Sequence, residues 1–438
     1  MRIGIQLLSL RPGQVGGQEV LVRRLLTRIA PMLGGDQIVV FMRPELTHDA
    51  TWQPALAHPA IETAAARPEE HYGDGYADWS LQILRDAVVD VVFFPLFFFF
   101  PRPLPIPVAV HVPDLQHEFC PEYFPPEQLS WRRERIPESV ALADAVITGS
   151  QFSAGTLRDR LHADPTRLHV IPNGGFLSEE IQDCLPDLGG HHRASPLDVL
   201  PVTPPLNKGG QGGVMEGKLS ASNEEPPLVP PWQGGKQEDL DSQSRKVNTQ
   251  LPADLPDGVP FVFYPAADWP HKNHETLLRA MAILAGRGRP EHLVLTGMLS
   301  QSGDRLPALA DQLGIADRVH FLGCVEQNRL IAIYRRAALM AFPSRFEGFG
   351  LPLVEAMQLG CPIVASRAAA VVETAGHAAV FCDDSPEAWA DALTTTLDSS
   401  DLRADLARRG RTRAADFDWD CCAAQYLALF RTLAAKRH

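Results

Sequence analysis

The sequence predicts an α/β protein with two domains, each a doubly wound parallel sheet covered by helices on both faces. Short apolar runs alternate with amphipathic segments along both halves of the chain, the pattern of parallel sheets packed between helices. At 438 residues the chain is too long for one hydrophobic core. Between the halves, composition shifts to proline, glycine and polar residues, which marks a linker.

Each half is expected to contribute six strands. In the first half they are expected at 3–7, 37–41, 88–94, 108–111, 145–148 and 168–171. In the second half they are expected at 261–264, 292–296, 319–321, 339–342, 362–365 and 379–381. The first helix, 20–32, has an apolar face formed by Leu21, Leu25, Ile29 and Met32. Arg23, Arg24 and Arg28 fall largely off that face, so the helix should pack on a sheet through its apolar side.

These segments divide the chain into a first domain at 1–175, an insert at 176–257, a second domain at 258–416 and a final helix in 417–438. Within the insert, prolines and glycines fill 14 of the 36 positions of 201–236. This exceeds the ~25–30% typical of disordered low-complexity segments. We therefore expect the insert to be disordered and not catalytic.

The charge and the cysteine pattern exclude several classes. A net charge of −13 argues against an extended nucleic-acid surface. The seven cysteines show no CxxC spacing, which favours reduced thiols over a disulfide frame or a zinc site. The chain opens on strand-like RIGIQLL without the zones of a signal peptide, so a cytoplasmic protein is expected.

The most apolar stretch, 88–101, is interrupted by Asp90 and Pro95 and falls short of the ~20 residues that span a bilayer. Its first part should be a buried strand. Phe97–Phe100 follow in a loop, and two interpretations stay open for them. One is burial against the second domain or an oligomer partner. The other is an apolar lip for a lipid-linked acceptor, with peripheral association at the inner face of the membrane.

The segment PSRFEGFGLPLVEAMQLGCPIVAS carries the strongest functional signal. Gly348 and Gly350 let the backbone approach a ligand closely, and Pro352 suits the first position of a helix. The amides that would then point at an anion are those of Phe349, Gly350 and Leu351. Glu347 and Glu355 flank this helix start and can accept hydrogen bonds from sugar hydroxyls. Phosphate and polyol together indicate a nucleotide sugar.

This segment resembles the Glu-x7-Glu signature of retaining glycosyltransferases of the GT-B fold, the family 4 group with mannosyl- and glucosyltransferases. Similar segments include IGIQLLSLRPGQVGGQEVLVRRLL, VPDLQHEFCPEYF, DAVITGSQFSAGTL, FYPAADWPHKNHETLLRA and FLGCVEQNRLIAIYRRAALMAFPS. The resemblance implies two Rossmann-like domains facing each other across a cleft, with the last helix packing back on the first domain. It implies transfer of a hexose, mannose or glucose, from a GDP- or UDP-sugar without an active-site metal or other cofactor. The acceptor would be a glycan, a lipid-linked molecule or a small molecule in polysaccharide or glycoconjugate biosynthesis.

The resemblance also assigns roles to residues of the donor half. Lys272 is the cation beside the diphosphate, Glu347 the ligand of the sugar hydroxyls and Glu355 the ligand of the ribose. Val325 offers the backbone contact for the base. Many relatives carry an arginine five positions before the lysine, where this chain has Ala267, and His271 or Asn273 would compensate.

On the opposing side, Gly16 and Gly17 follow the first strand and would form the second cradle for the donor. Asp114 and His117, in VPDLQHE, occupy a comparable loop as catalytic candidates. Relatives often show His-Asp there, but this chain has Pro113 before Asp114, so His111 and His117 are substitutes of open role.

Two other functions stay open. Sugar-nucleotide epimerases share the GT-B shape, although the Glu347 to Glu355 segment fits the transferases better. A nucleotide-sugar-binding protein without turnover would explain Ala267 and the large insert. Measurement of donor hydrolysis would separate these classes.

Overall fold

The computed structural model describes residues 1–10, 17–66, 76–100, 103–182, 258–298 and 305–436. Its strands are β1 Arg2–Gln6, β2 Gln37–Met42, β3 Ile61–Ala65, β4 Val91–Phe94, β5 Val108–His111, β6 Ala145–Thr148, β7 Leu168–Val170, β8 Phe261–Pro265, β9 His292–Thr296, β10 Val319–Phe321, β11 Leu339–Phe342, β12 Ile363–Ser366 and β13 Ala379–Cys382. The helices of the first half are α1 Gly17–Ile29, α2 Pro44–Thr47, α3 Gln53–Leu56, α4 Tyr76–Asp86, α5 Gln116–Phe119, α6 Pro126–Leu142, α7 Gln151–Leu161 and α8 Ser178–Gln182. Those of the second half are α9 His274–Gly286, α10 Arg305–Gln312, α11 Gln327–Arg336, α12 Leu351–Leu359, α13 Val371–Ala375, α14 Pro386–Asp398, α15 Ser400–Ala414 and α16 Trp419–Ala435.

The described strands form two parallel sheets, one in each half of the chain. The first has seven strands in the order β3-β2-β1-β4-β5-β6-β7, and the second has six in the order β10-β9-β8-β11-β12-β13. Both orders reverse direction beside their first strand, so each sheet has a crevice at the carboxyl ends of its central strands. Ligands of open α/β sheets bind at such a point. The predicted class, two doubly wound domains, is confirmed.

Each expected strand is present, and the differences lie at its limits. The sequence analysis missed β3 because, in this edge strand, only Ile61 is buried and apolar alternation is lost. The expected strand 88–94 begins only at Val91. Val88 is 70% exposed in a left-handed conformation (φ 51°), so it belongs to the preceding turn. The apolar run therefore extends beyond the buried strand.

The phenylalanines of 97–100 pack within their own domain. Phe99 is buried against Phe94, and the Phe99 amide donates to Ser139 Oγ on α6. Phe98 meets Trp131 of the same helix edge to face, with centroids 4.7 Å apart. These contacts correct the expectation that the segment packs on the second domain. None of the helices in the described ranges combines the length and apolar character needed to cross a membrane.

The chain crosses between the domains at two places. Phe176 is buried in the core of the second domain, and Leu177 in that of the first. Phe417 and Trp419 repeat this, with Phe417 in the second core and Trp419 in the first. Helix α16 then packs on α1 and β4 of the first domain. Because Phe176 is buried and α8 follows it, placing the start of a disordered insert at 176 was wrong; 183–257 lie outside the described residues.

Candidate active site

The loop of residues 343–350, which carries Glu347, lies between β11 and α12, at the carboxyl end of a central strand of the second sheet. We call it the carboxylate loop. Gly350 caps α12 with φ 89°, a conformation that only glycine adopts without strain. Helix α12 begins at Leu351, so Pro352 takes its second position rather than the expected first. Its missing N–H is still tolerated there because early helical amides have no partner within the helix.

Lys272 and Glu347 form an ion pair in this crevice. Lys272 Nζ lies 2.6 Å from Glu347 Oε1, and the two side chains are only 15% and 11% exposed. The Tyr264 hydroxyl fixes the lysine backbone by donating to the Lys272 carbonyl at 2.8 Å. Burial raises the pKa of Tyr264 well above its ordinary value, so it remains a neutral donor. The structure thus brings together Lys272 and Glu347, two of the site residues that the sequence predicted.

Glu355 is buried in the second turn of α12. Its Oε2 accepts a hydrogen bond from the Tyr334 hydroxyl at 3.1 Å, and its Oε1 lies 3.5 Å from Arg24 Nη1. Burial raises the pKa of Glu355, whereas the Arg24 guanidinium and the Tyr334 hydroxyl lower it. These two partners therefore support the ionised form of the carboxylate.

Arg24 corrects the helical-face prediction. Its side chain is 7% exposed, although the periodicity of α1 placed it off the apolar face. It donates to the Gly175 carbonyl at 2.8 Å and pairs with Glu180 at 3.2 Å, in addition to Glu355. A single-helix pattern cannot show this, because the partners come from the chain crossing and the other domain.

Asn273 lies next to Lys272 but is occupied structurally. It has φ 57° at the start of α9, and its Nδ2 donates to Asp384 Oδ1 at 2.7 Å. Its Oδ1 accepts from Thr276 at 2.8 Å. The side chain therefore holds the loop, and its predicted contact with the donor stays a prediction. His271 is also buried, and burial followed by the nearby Lys272 lowers its pKa to about 3, so this ring supplies no positive charge in place of Ala267.

Asp114 of the first domain faces the carboxylate loop at Gly348. A Cβ on Gly348 would lie 2.5 Å from the Pro113 carbonyl oxygen and 2.8 Å from Asp114 Oδ2. Only glycine permits this approach. Burial raises the pKa of Asp114, the Gln116 amide and the charges of Arg132 and Lys272 lower it, and Glu347 raises it. The aspartate is thus electrostatically coupled to the Lys272–Glu347 pair.

His117 is buried in α5, shortly after Asp114 in the chain. It is 2% exposed, its ring meets Phe124 edge to face, and its Nδ1 has no hydrogen-bond partner among the described residues. Burial, and then the positive charge of Arg132, lower its pKa to about 4, so the ring is neutral at pH 7. His111 lies at the end of β5, and burial likewise lowers its pKa to about 4. A neutral His117 can accept or donate one proton at this position.

The remaining predicted donor contacts are Gly16, Gly17 and Val325. Gly17 is exposed at the start of α1 with open space around it, whereas Gly16 lies outside the described residues. Val325 is partly buried after β10 and packs against the second core. Among the described residues, no three His, Cys, Asp or Glu side chains converge to hold a metal ion.

A set of contacts that the sequence analysis missed joins the two halves of the site. The hydroxyls of Ser150 and Ser153 donate to the Gly348 carbonyl at 2.6 and 3.1 Å. Glu373 accepts the amides of Gln151 and Phe152, at 2.7 and 2.8 Å, at the start of α7. The carboxylate thereby satisfies free amides at the positive end of the helix dipole. Hydrogen bonds thus join the carboxylate loop of the second domain directly to α7 of the first domain.

The fold and the loop of paired carboxylates define a two-domain protein of the GT-B class. Sucrose-phosphate synthase of Thermosynechococcus elongatus superposes with a TM-score of 0.66 at 18% identity, covering 100% of both chains. Anabaena HepE, solved in complex with UDP and glucose, superposes with a TM-score of 0.64 at 17% identity, covering 99% of this chain and 100% of HepE. At such identities the likeness shows the fold.

The family follows from the sequence matches. Residues 15–175 match the family "Glycosyltransferase Family 4", and residues 250–413 match "Glycosyl transferases group 1". The chain belongs to these group 1 glycosyltransferases of family 4. It is 32% identical over 177 residues to the D-inositol 3-phosphate glycosyltransferase of Corynebacterium glutamicum, covering 39% of this chain and 42% of that relative. It is 24% identical over 316 residues to the O-antigen chain mannosyltransferase B of Escherichia coli, covering 72% and 67%.

Proposed function

We propose that this protein transfers a hexose from a nucleoside-diphosphate sugar to an acceptor hydroxyl, with retention of anomeric configuration. The observation that carries the proposal is the Lys272–Glu347 pair, 2.6 Å apart at the carboxyl end of the second sheet, with Glu355 buried eight positions on. The two carboxylates share the unit of β11, its loop and α12, and the cation reaches them from the segment between β8 and α9. The named activities of the relatives, glycosyl and mannosyl transfer, agree with it.

In this mechanism each group has one task. The diphosphate lies at the start of α12, where free amides and the helix dipole stabilise an anion. Lys272 neutralises the charge that grows on the diphosphate as the glycosidic bond breaks. Glu347 then exchanges its bond to Lys272 for one to a sugar hydroxyl, and Glu355 accepts from the ribose. The acceptor proton passes to the leaving phosphate on the same face of the sugar.

The opposing domain supplies the acceptor side. Asp114 faces the loop at Gly348, and the neutral His117 follows it in α5. In this proposal the two groups orient the acceptor hydroxyl. Closure of the domains excludes water from the reacting sugar. The donor is a UDP- or GDP-hexose, glucose or mannose, used without a metal, and the acceptor is a glycan, a lipid-linked molecule or a small polyol.

The test is turnover of UDP-glucose, UDP-galactose and GDP-mannose, with and without myo-inositol phosphate or a mannosyl glycan. NMR of the product reads the anomeric configuration. Lys272→Ala should lower turnover ~10²- to 10³-fold, the usual effect of removing one charge-stabilising group. Lys436→Ala, at an exposed lysine directly after α16, is the matched control. Inversion of configuration, or an unchanged rate in Lys272→Ala, would contradict the proposal.

A further inference from the structure

Arg132 of α6 is a partly buried cation whose charge has no direct ion-pair partner among the described residues. Its Cζ lies 4.9 Å from the ring centroid of Phe97 and 4.9 Å from that of Phe124. Its Nε is buried without a hydrogen-bond partner. Burial lowers the pKa of Arg132, and the more distant carboxylate of Asp114 raises it. Because removing a charge from water is costly, a direct anionic partner at Arg132 would be stabilising.

The contact between Phe97 and Arg132 comes with an unusual backbone conformation at Phe97. Phe97 has φ 62°, an unusual value for a bulky residue, and its amide donates to the His111 carbonyl at 3.0 Å. Such strain concentrates at functional sites. Two rings against the guanidinium restrict the approach of a ligand to its N–H groups. Those groups match the paired oxygens of a phosphate or a carboxylate.

The location of Arg132 connects it with the reaction. Its charge acts on Asp114, which contacts the loop at Gly348 from the first domain, and on His117, which follows in α5. The donor's own cation, Lys272, lies on the opposite side of this contact, in the second domain. A ligand at Arg132 would therefore share the crevice with the donor sugar and lie on the acceptor side of it.

We propose that Arg132 forms an anion-binding subsite for the acceptor, which carries a phosphate or carboxylate group. This inference rests on the proposed function and narrows its acceptor class to anionic molecules. Phe97 and Phe124 hold the guanidinium in place, so little side-chain freedom is lost on binding. The anion supplies the counter-charge, and its position orients the acceptor hydroxyl toward Asp114 and the donor.

Calorimetric titration of the full chain tests the subsite directly. The chain is first saturated with UDP or GDP, whichever binds, and then titrated with methyl phosphate, acetate and neutral glycerol. At least one anion should bind where glycerol does not, and Arg132→Gln should weaken it ~10- to 150-fold, the range for a charged hydrogen bond. Arg132→Lys should be intermediate, because it keeps the charge and loses the planar fork. Binding of methyl phosphate alone assigns a phosphate, and binding of acetate alone a carboxylate.

Arg133→Gln is the matched control, since this neighbouring arginine is 49% exposed and already paired with Glu118 at 2.8 Å. It should bind the anion as wild type does. Unchanged melting and nucleotide affinity establish that Arg132→Gln is folded. The inference is overturned if neither anion binds to the nucleotide-saturated chain or if Arg132→Gln keeps the affinity. Nucleotide binding without anion binding would leave the proposed function standing, whereas anion binding without nucleotide binding would remove that function and the acceptor role.

Discussion

The two halves of the site differ in how their polar groups are satisfied. In the second domain Lys272 is paired with Glu347, and Glu355 accepts from Tyr334. In the first domain Arg132 Nε and His117 Nδ1 are buried without described partners. The carboxylates of the second domain thus have partners in the structure itself, with Arg24 of the first domain as the charged partner of Glu355. The first-domain side leaves two buried nitrogen atoms without such partners, and under the proposed function these atoms face the acceptor.

The largest expected effects come from breaking the donor half. Glu355→Gln should weaken binding of the bare nucleoside diphosphate ~10- to 150-fold, since a charged hydrogen bond to a hydroxyl contributes about 1.5–3 kcal/mol. Glu347→Gln should lower turnover of the sugar nucleotide by a similar factor. It should leave binding of the bare diphosphate unchanged or tighter, because it frees Lys272 from its counter-ion.

Calorimetry with UDP or GDP and steady-state rates with the sugar nucleotide measure both parts. Glu387→Gln, an exposed glutamate of α14, serves as the control and should change neither. Equal losses of bare nucleotide binding in the two site variants would contradict this division of roles.

A smaller effect should appear where the halves meet, at Arg24. Burial raises the pKa of Glu355 and Arg24 lowers it, so Arg24→Gln should raise that pKa further. Only the ionised carboxylate accepts from ribose with full strength, so nucleotide binding should weaken as pH falls through this pKa. In Arg24→Gln the weakening should begin at higher pH, with a loss of about tenfold within that window.

UDP or GDP titrations between pH 5 and 8 give the profile. Arg24→Lys should restore part of it, and Arg23→Gln, a partly exposed neighbour, should leave it unchanged. If Arg24 were only a structural support, affinity would fall equally at every pH, and a parallel profile would therefore exclude the electrostatic role.

The smallest effect is expected for the contacts that close the crevice. Glu373→Gln should weaken the two hydrogen bonds by which the amides of Gln151 and Phe152, on the first domain, bind the Glu373 side chain of the second. Because the bonds are partly exposed, we expect a few-fold loss of nucleotide affinity. Small-angle scattering should show a larger radius of gyration in the variant without nucleotide, and compaction when nucleotide is added. An identical radius in wild type and variant, both without nucleotide, would count against a closing role.

The sequence predicted the sheets and the loop-helix unit at Glu347 and Glu355 because both are local patterns. Alternating apolar runs form strands, and glycine beside glutamate before an apolar helix forms the loop that ends where α12 begins at Leu351. Arg24 was misplaced because its partner Glu355 is 331 positions away. Asn273 was assigned to the donor because its bonds to Asp384 and Thr276 leave no local signature. Arg132 could have been noticed in the aromatic and basic run SWRRER, but only the fold brings Phe97 to it.

The two chain crossings have a mechanical consequence. Trp419 Nε1 donates to the Gly175 carbonyl at 2.7 Å, and a Cβ on Gly174 would lie 2.3 Å from the same indole. The outgoing and returning segments are thus fastened to each other where they pass between the domains. Two separate linkers would let the domains shear and twist, whereas two fastened ones act as one pivot. A closing motion of the domains would turn about this one pivot, which would favour the same juxtaposition of Lys272 and Asp114 each time.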